Sequence, residues 1–155
     1  MLHTVAVANS YTPLRHYKMQ YLRGKILKWR RKKATTKRAR IDEYSAKFFD
    51  ALYENNFKLA KILIDSGKVE VNIKDYYDDT PLIVVCQRTT LQNEDEAVKF
   101  ITYLWQGGFK FHTSNDLGKT AMHYAMRNDL MKIMHTLLYI QWKILYYDLH
   151  NVDLI

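Results

Sequence analysis

Apolar residues in the middle of this chain recur three and four positions apart, the spacing of one face of a helix. Val98, Ile101, Leu104 and Trp105 follow that spacing, and Ile133, Met134, Leu137 and Leu138 repeat it. With the shorter runs before them, the pattern predicts helices over residues 48–53, 57–64, 81–87, 95–106, 121–127 and 130–140, arranged as three pairs. Asp65-Ser66-Gly67 stops the second helix and Gly107-Gly108 stops the fourth, each supplying glycine just past a helix end, where a left-handed backbone is needed. Thr80 and Thr120 open the third and fifth helices as N-caps, and Pro81 takes the first helical position, where its missing N–H costs nothing. Short extended pieces, Val71-Asn72-Ile73 and Phe111-His112-Thr113, precede the second and third pairs.

The pairs repeat. Asp75-Tyr76-Tyr77-Asp78-Asp79-Thr80-Pro81-Leu82 returns forty positions later as Asn115-Asp116-Leu117-Gly118-Lys119-Thr120-Ala121-Met122. Thr80-Pro81-Leu82 and Thr120-Ala121-Met122-His123 resemble the Thr-Pro-Leu-His signature of ankyrin repeats, and Asp65-Ser66-Gly67 with Val71-Asn72 resembles that family's Asn-Gly-Ala-Asp-Val-Asn segment. The sequence departs from the pattern in places. Ile83 stands where the signature has His, Ala121 stands for Pro, and the first unit lacks the opening turn. The forty-residue spacing exceeds the usual ~33, and the extra residues fall at 89–94, between the two helices of the middle repeat. That expansion, beside a Thr-x-Leu-x-Val-x-Cys helix, also resembles the ankyrin repeat domain-containing protein 34 group.

The resemblance implies an all-α, ankyrin-type solenoid of about three helix-turn-helix repeats with short β-turn fingers. Repeats would run over 45–74, 75–114 and 115–141 within a domain at 42–141. A lone helix pair cannot bury its own apolar face, and about three stacked pairs are the minimum for stability. The resemblance also implies a concave face that holds a protein partner. Its finger tips would be Tyr76, Tyr77, Asp79, Asp116, Leu117 and Lys119, and its helix positions Gln87, Arg88, Arg127 and Asn128. The aromatic pair Tyr76-Tyr77 is the strongest of these, because Tyr anchors interfaces at low entropic cost. The competing reading lays both rings flat on the neighbouring turn.

Charge divides the 155-residue chain. Residues 1–41 hold twelve Lys/Arg and no acid, while 42–155 hold the other twelve against all sixteen acids, a net of −4. The chain therefore reads as a basic arm, partly disordered or helical, on a mildly acidic body. Within the arm, Leu14, Tyr17, Tyr21, Leu22, Ile26 and Trp29 form a partial apolar stripe, weakened by Gly24 at about 1 kcal/mol relative to Ala. Lys28, Arg30, Arg31, Lys32 and Lys33, then Lys37, Arg38 and Arg40, make two basic blocks. Four readings stay open: a nuclear localisation signal held by importin, a calmodulin or anionic-membrane target helix, a mitochondrial presequence, and a solvated tail. Met19-Gln20 with Arg23-Gly24 is similar to a calmodulin-binding IQ motif, one residue short in spacing. Nothing in the arm reads bases, so no specific nucleic-acid partner is expected.

The remaining features narrow the function. No apolar run approaches the roughly 20 residues of a membrane span, and residues 1–8 are too short for a secretory signal. One cysteine, Cys86, allows neither an internal disulfide nor a cysteine zinc site, and points to a reducing, intracellular setting, nuclear or cytoplasmic. Cys86 is expected to be buried and inert, and His123 to hydrogen-bond its own turn. Asp75, Asp78 and Asp79 lack the spacing of a calcium loop and suit turn chemistry. No catalytic set, metal site or cofactor site is expected. The expectation is a non-catalytic adaptor or scaffold, with a regulator that masks a partner's localisation signal as the alternative. The apolar segment 142–155 reads as an irregular cap folded back on the last pair, as an exposed patch that meets a partner, another copy or repeats absent from this chain, or as a truncated end.

Overall fold

The computed structural model describes residues 41–70 and 72–150, with side chains to 148. The readings of the basic arm at 1–40 and of residues 151–155 lie outside these. Six helices follow one another: α1 (Glu43–Tyr53), α2 (Phe57–Asp65), α3 (Pro81–Arg88), α4 (Glu94–Gln106), α5 (Ala121–Arg127) and α6 (Met131–His150). Among the described residues there is no strand. Helices α1, α3 and α5 pack side by side as an inner row, and α2, α4 and α6 as an outer row behind them. Each helix also touches the other member of its pair. This is the predicted all-α solenoid of three helix pairs.

The core lies between the rows. Phe48, Phe49 and Leu52 of α1, Ile83 and Val85 of α3, Ile101 and Leu104 of α4, and Leu130, Ile133 and Ile140 of the last pair are all buried. The run from Pro81 to Cys86 is buried at every position, because α3 is flanked by α1 on one side and α5 on the other. Cys86 is fully buried, and burial pushes its thiol well above the ordinary range, which leaves it inert as expected.

Local chemistry sets the helix ends. Asp42 Oδ1 accepts from the backbone N–H of Tyr44 and of Ser45, at 3.0 Å each, so α1 starts five residues before the predicted 48. Thr80 Oγ1 accepts from Ile83 N at 3.4 Å. His123 Nδ1 accepts from Thr120 N at 3.2 Å, the structural role expected of that ring. Of the Gly107-Gly108 pair only Gly108 is left-handed, with φ 78; Phe109 N then reaches Leu104 O at 3.1 Å and closes the helix end. Asn55 and Asp129, with φ 56 and 54, close α1 and α5 the same way.

Two expectations fail here. Residues 142–150 do not form an irregular cap folded back on the last pair, since α6 runs unbroken for 20 residues to His150. Nothing between 141 and 150 breaks a helix: the stretch has no Gly and no Pro. The segment around Asn72 is not simply extended either. Asn72 takes φ 69 and its Oδ1 accepts from Lys110 N at 2.8 Å, joining one finger loop to the next.

Candidate functional site

The fingers stand on a buried polar row. Asp75 opens the first finger, and its Oδ1 accepts from Tyr77 N at 2.7 Å and from Asp79 N at 2.8 Å. Asn115 opens the second in the same way, accepting from Leu117 N and Lys119 N at 3.0 Å each. Backbone bonds repeat too: Asp75 N donates to Asp79 O at 2.9 Å and Asn115 N to Lys119 O at 3.0 Å. A left-handed residue completes each turn, Asp78 with φ 62 and Gly118 with φ 68. The two fingers are therefore one shape, written once with Asp and once with Asn.

Side chains then tie finger to finger. The Tyr53 hydroxyl of α1 donates to Asp75 Oδ2. Asn115 Nδ2 donates to Asp79 Oδ1 at 2.6 Å and to the Tyr124 hydroxyl oxygen at 2.9 Å. Gln87 Nε2 donates to Asp79 Oδ2 at 3.0 Å. The row Tyr53–Asp75–Asp79–Asn115–Tyr124 crosses all three repeats. Burial pushes the Asp75 carboxyl up to about 6; the Tyr53 hydrogen bond opposes that rise and the nearby Asp79 charge adds to it. Burial, with the Asp75 charge second, likewise pushes the Tyr53 phenol up.

The sequence-predicted contact residues divide on this frame. Asp79 is 2% exposed, so it is not a tip contact; its carboxylate is held by Gln87 and Asn115. Gln87 is half-buried on that same carboxylate. Asn128 is half-buried too, and its Nδ2 donates to Cys86 O at 3.0 Å, closing the end of α3 from the next repeat. These three act inside the stack. Tyr76 and Tyr77 are half-buried, and Leu117, Lys119, Arg88 and Arg127 are exposed. Asp116 is half-buried as a residue, but both its carboxylate oxygens are buried, so it is not a tip contact either. Arg88 lies over the Tyr53 ring at 4.9 Å and Arg127 over the Tyr124 ring at 4.8 Å, one guanidinium per repeat along the inner row.

Sequence reasoning missed Tyr53, Asn115 and Tyr124 as the supports of the fingers. The signal was present for one of them: Asn115 repeats Asp75 at the forty-residue spacing. It also missed Glu94, which is buried where the 89–94 expansion ends, with its carboxylate at the start of α6.

A family model for ankyrin repeats in three copies matches residues 48–147, well over half of the chain. The chain belongs to the ankyrin repeat family. Ankyrin repeats generally mediate protein–protein interaction and are typically non-catalytic. None of the comparisons reaches the narrower protein 34 group. No curated protein matches the chain. Among solved structures, one of a predatory endopeptidase from Bdellovibrio bacteriovorus in complex with an immunity protein is similar at 19% identity and a TM-score of 0.51. The match covers 60% of this ankyrin chain and 45% of that one, and it supports the fold alone. No helix among the described residues is long and apolar enough to cross a membrane.

Proposed function

We propose that this ankyrin repeat chain is an adaptor that holds a protein partner across its finger tips and the exposed side of its inner row. The contacts are Tyr76, Tyr77, Leu117 and Lys119 at the tips, with Arg88 and Arg127 behind them. One observation carries the reading. The buried row from Tyr53 to Tyr124 holds both fingers in a single shape, so little order is lost when a partner binds. Arg88 and Arg127 suit carboxylates on the partner, because a guanidinium pairs with them in a two-pronged geometry.

Those same two cations disfavour the masking of a partner's localisation signal, since such signals are themselves basic. The arm is a separate element of the proposal. Its sequence suits importin or calmodulin, with Lys28 to Arg40 as the contact.

The test is affinity capture from cell lysate with the full-length chain beside a 42–155 fragment. Partners lost with the arm belong to the arm, and those retained belong to the stack. Tyr76→Ala with Tyr77→Ala is expected to weaken stack-dependent capture while leaving the melting temperature within a few degrees. A large loss of stability with unchanged capture would make both rings structural and would end this assignment.

A further inference from the structure

Among the described residues, seven of the thirteen exposed large hydrophobic side chains sit on α6. They are not scattered. α6 seats Ile133, Leu137 and Ile140 in the core and packs Ile144 against it. Trp142 falls about 170° round from that face, on a helix of 3.6 residues per turn, and Leu138 and Leu145 flank it at about 130° and 110°. Leu138, Trp142 and Leu145 are 53%, 58% and 55% exposed. Beside them the Tyr139, Trp142 and Tyr146 rings stack in sequence, with centroids 6.4 and 5.5 Å apart and planes within 30°. The result is a continuous apolar ridge along the outward face.

No Lys, Arg, Asp or Glu interrupts that ridge. Lys143 turns aside, over the Trp105 and Tyr139 rings at 5.8 and 5.3 Å, and Lys132 pairs with Asp95 at 2.7 Å. The other outer helices differ: α2 and α4 expose Lys58, Lys61, Glu96 and Lys99. A helix apolar on both faces belongs in an interior.

We infer that this ridge is where two copies of the chain meet, α6 against α6, about a two-fold axis. Each copy then supplies the same neutral surface, so no unlike partner patch is needed and no like charges oppose one another across its centre. Half-exposed aromatic and leucine side chains of this number contribute about 600 Å² per copy, or about 1,200 Å² for the pair, the lower bound of a stable interface. Trp142 sits mid-ridge, where an anchoring ring counts most. An anionic lipid surface would use the same rings, but the lysines beside them are engaged within the stack, Lys132 with Asp95 and Lys143 over the Trp105 and Tyr139 rings.

Sedimentation velocity of the full chain over a concentration series tests this. The expected result is a monomer that converts to a species of twice the mass as concentration rises. Trp142→Glu with Leu145→Glu is expected to abolish the heavier species, with the far-UV circular dichroism and melting temperature unchanged, because both side chains face outward. Trp142→Phe, which keeps a ring, is expected to retain it, and Tyr139→Arg is expected to weaken it at least tenfold. A monomer at every concentration overturns the inference. So does a dimer that survives the double glutamate variant, and so does a chain that stays monomeric yet co-sediments with phosphatidylserine–phosphatidylcholine vesicles.

Discussion

Glu94 caps a helix that is not its own. Its Oε1 accepts from Lys132 N at 2.7 Å and from Ile133 N at 3.1 Å, the second and third residues of α6. Leu130, just before α6, has no side-chain acceptor to offer, so a carboxylate from the preceding repeat serves instead. Charge adds to the fit, because the start of a helix carries partial positive charge. The 89–94 expansion thus delivers a cap from the middle repeat to the third.

Removing that cap leaves two N–H groups without an acceptor, the one on Ile133 buried and the one on Lys132 partly so. Glu94→Ala is expected to destabilise the fold by about 1–3 kcal/mol, and Glu94→Gln by less than half as much, since its amide oxygen still accepts. Thermal unfolding followed by circular dichroism measures the difference. Equal melting temperatures for Glu94→Ala and the parent chain would remove the cap assignment.

Asp75 governs a pH response. Its folded carboxyl titrates at about 6, above the usual carboxylate range of ~4, so between those values the folded state holds a proton that the unfolded chain has released. The contribution of this group to stability therefore falls as pH rises from about 4 to 6 and stays low above that. Asp75→Asn copies the residue that opens the second finger. It is expected to match or exceed the parent's stability at pH 7, by at most about 3 kcal/mol, and to lose the advantage near pH 4. A parallel shift of both unfolding profiles across the whole range would show that another group sets the response.

Gly107 and Gly108 should separate under substitution. Gly108 has φ 78, which a side chain resists although the space around it is open, while Gly107 is not left-handed and an added Cβ would meet Leu104 O at 3.4 Å. Gly108→Ala is expected to cost about 1–2 kcal/mol and Gly107→Ala under about 1 kcal/mol. Denaturant midpoints for the two variants test the order, and a reversed order would contradict the backbone described.

Arg88 and Arg127 give a charge test of the proposed binding face. Arg88→Glu with Arg127→Glu is expected to reduce stack-dependent capture at least tenfold and to lower its salt sensitivity, with the ring contacts to Tyr53 and Tyr124 and the exposed Arg127–Asn128 hydrogen bond lost from the fold. Capture measured at low and raised salt checks this. Undiminished capture at low salt would move the binding face elsewhere.

Much of the fold is legible in local sequence. Thr80, Pro81, Gly67 and Gly108 act through their own backbones, so their roles need no neighbour. Five helices start within one residue of expectation, at Phe57, Pro81, Glu94, Ala121 and Met131. The end of α6 was harder to read. Its last turns are apolar on both faces, so the one-sided period that marks a surface helix fades after Ile140. Among the contact candidates, Tyr76 and Asp79 look alike in sequence, since both lie in the same finger. Only stacking separates them, by bringing Asn115 within 2.6 Å of Asp79 and leaving Tyr76 half-buried.

The chain's own pattern determined the paired helices, their caps and the repeat that makes them stack, because each depends on bonds and periodicities within a few residues. Tertiary structure decided which polar groups stay exposed and which hold the stack together. Asp79, Asn128 and Glu94 meet partners that come into reach only when neighbouring repeats are in register, and the low dielectric between the repeats makes leaving any of them unpaired costly.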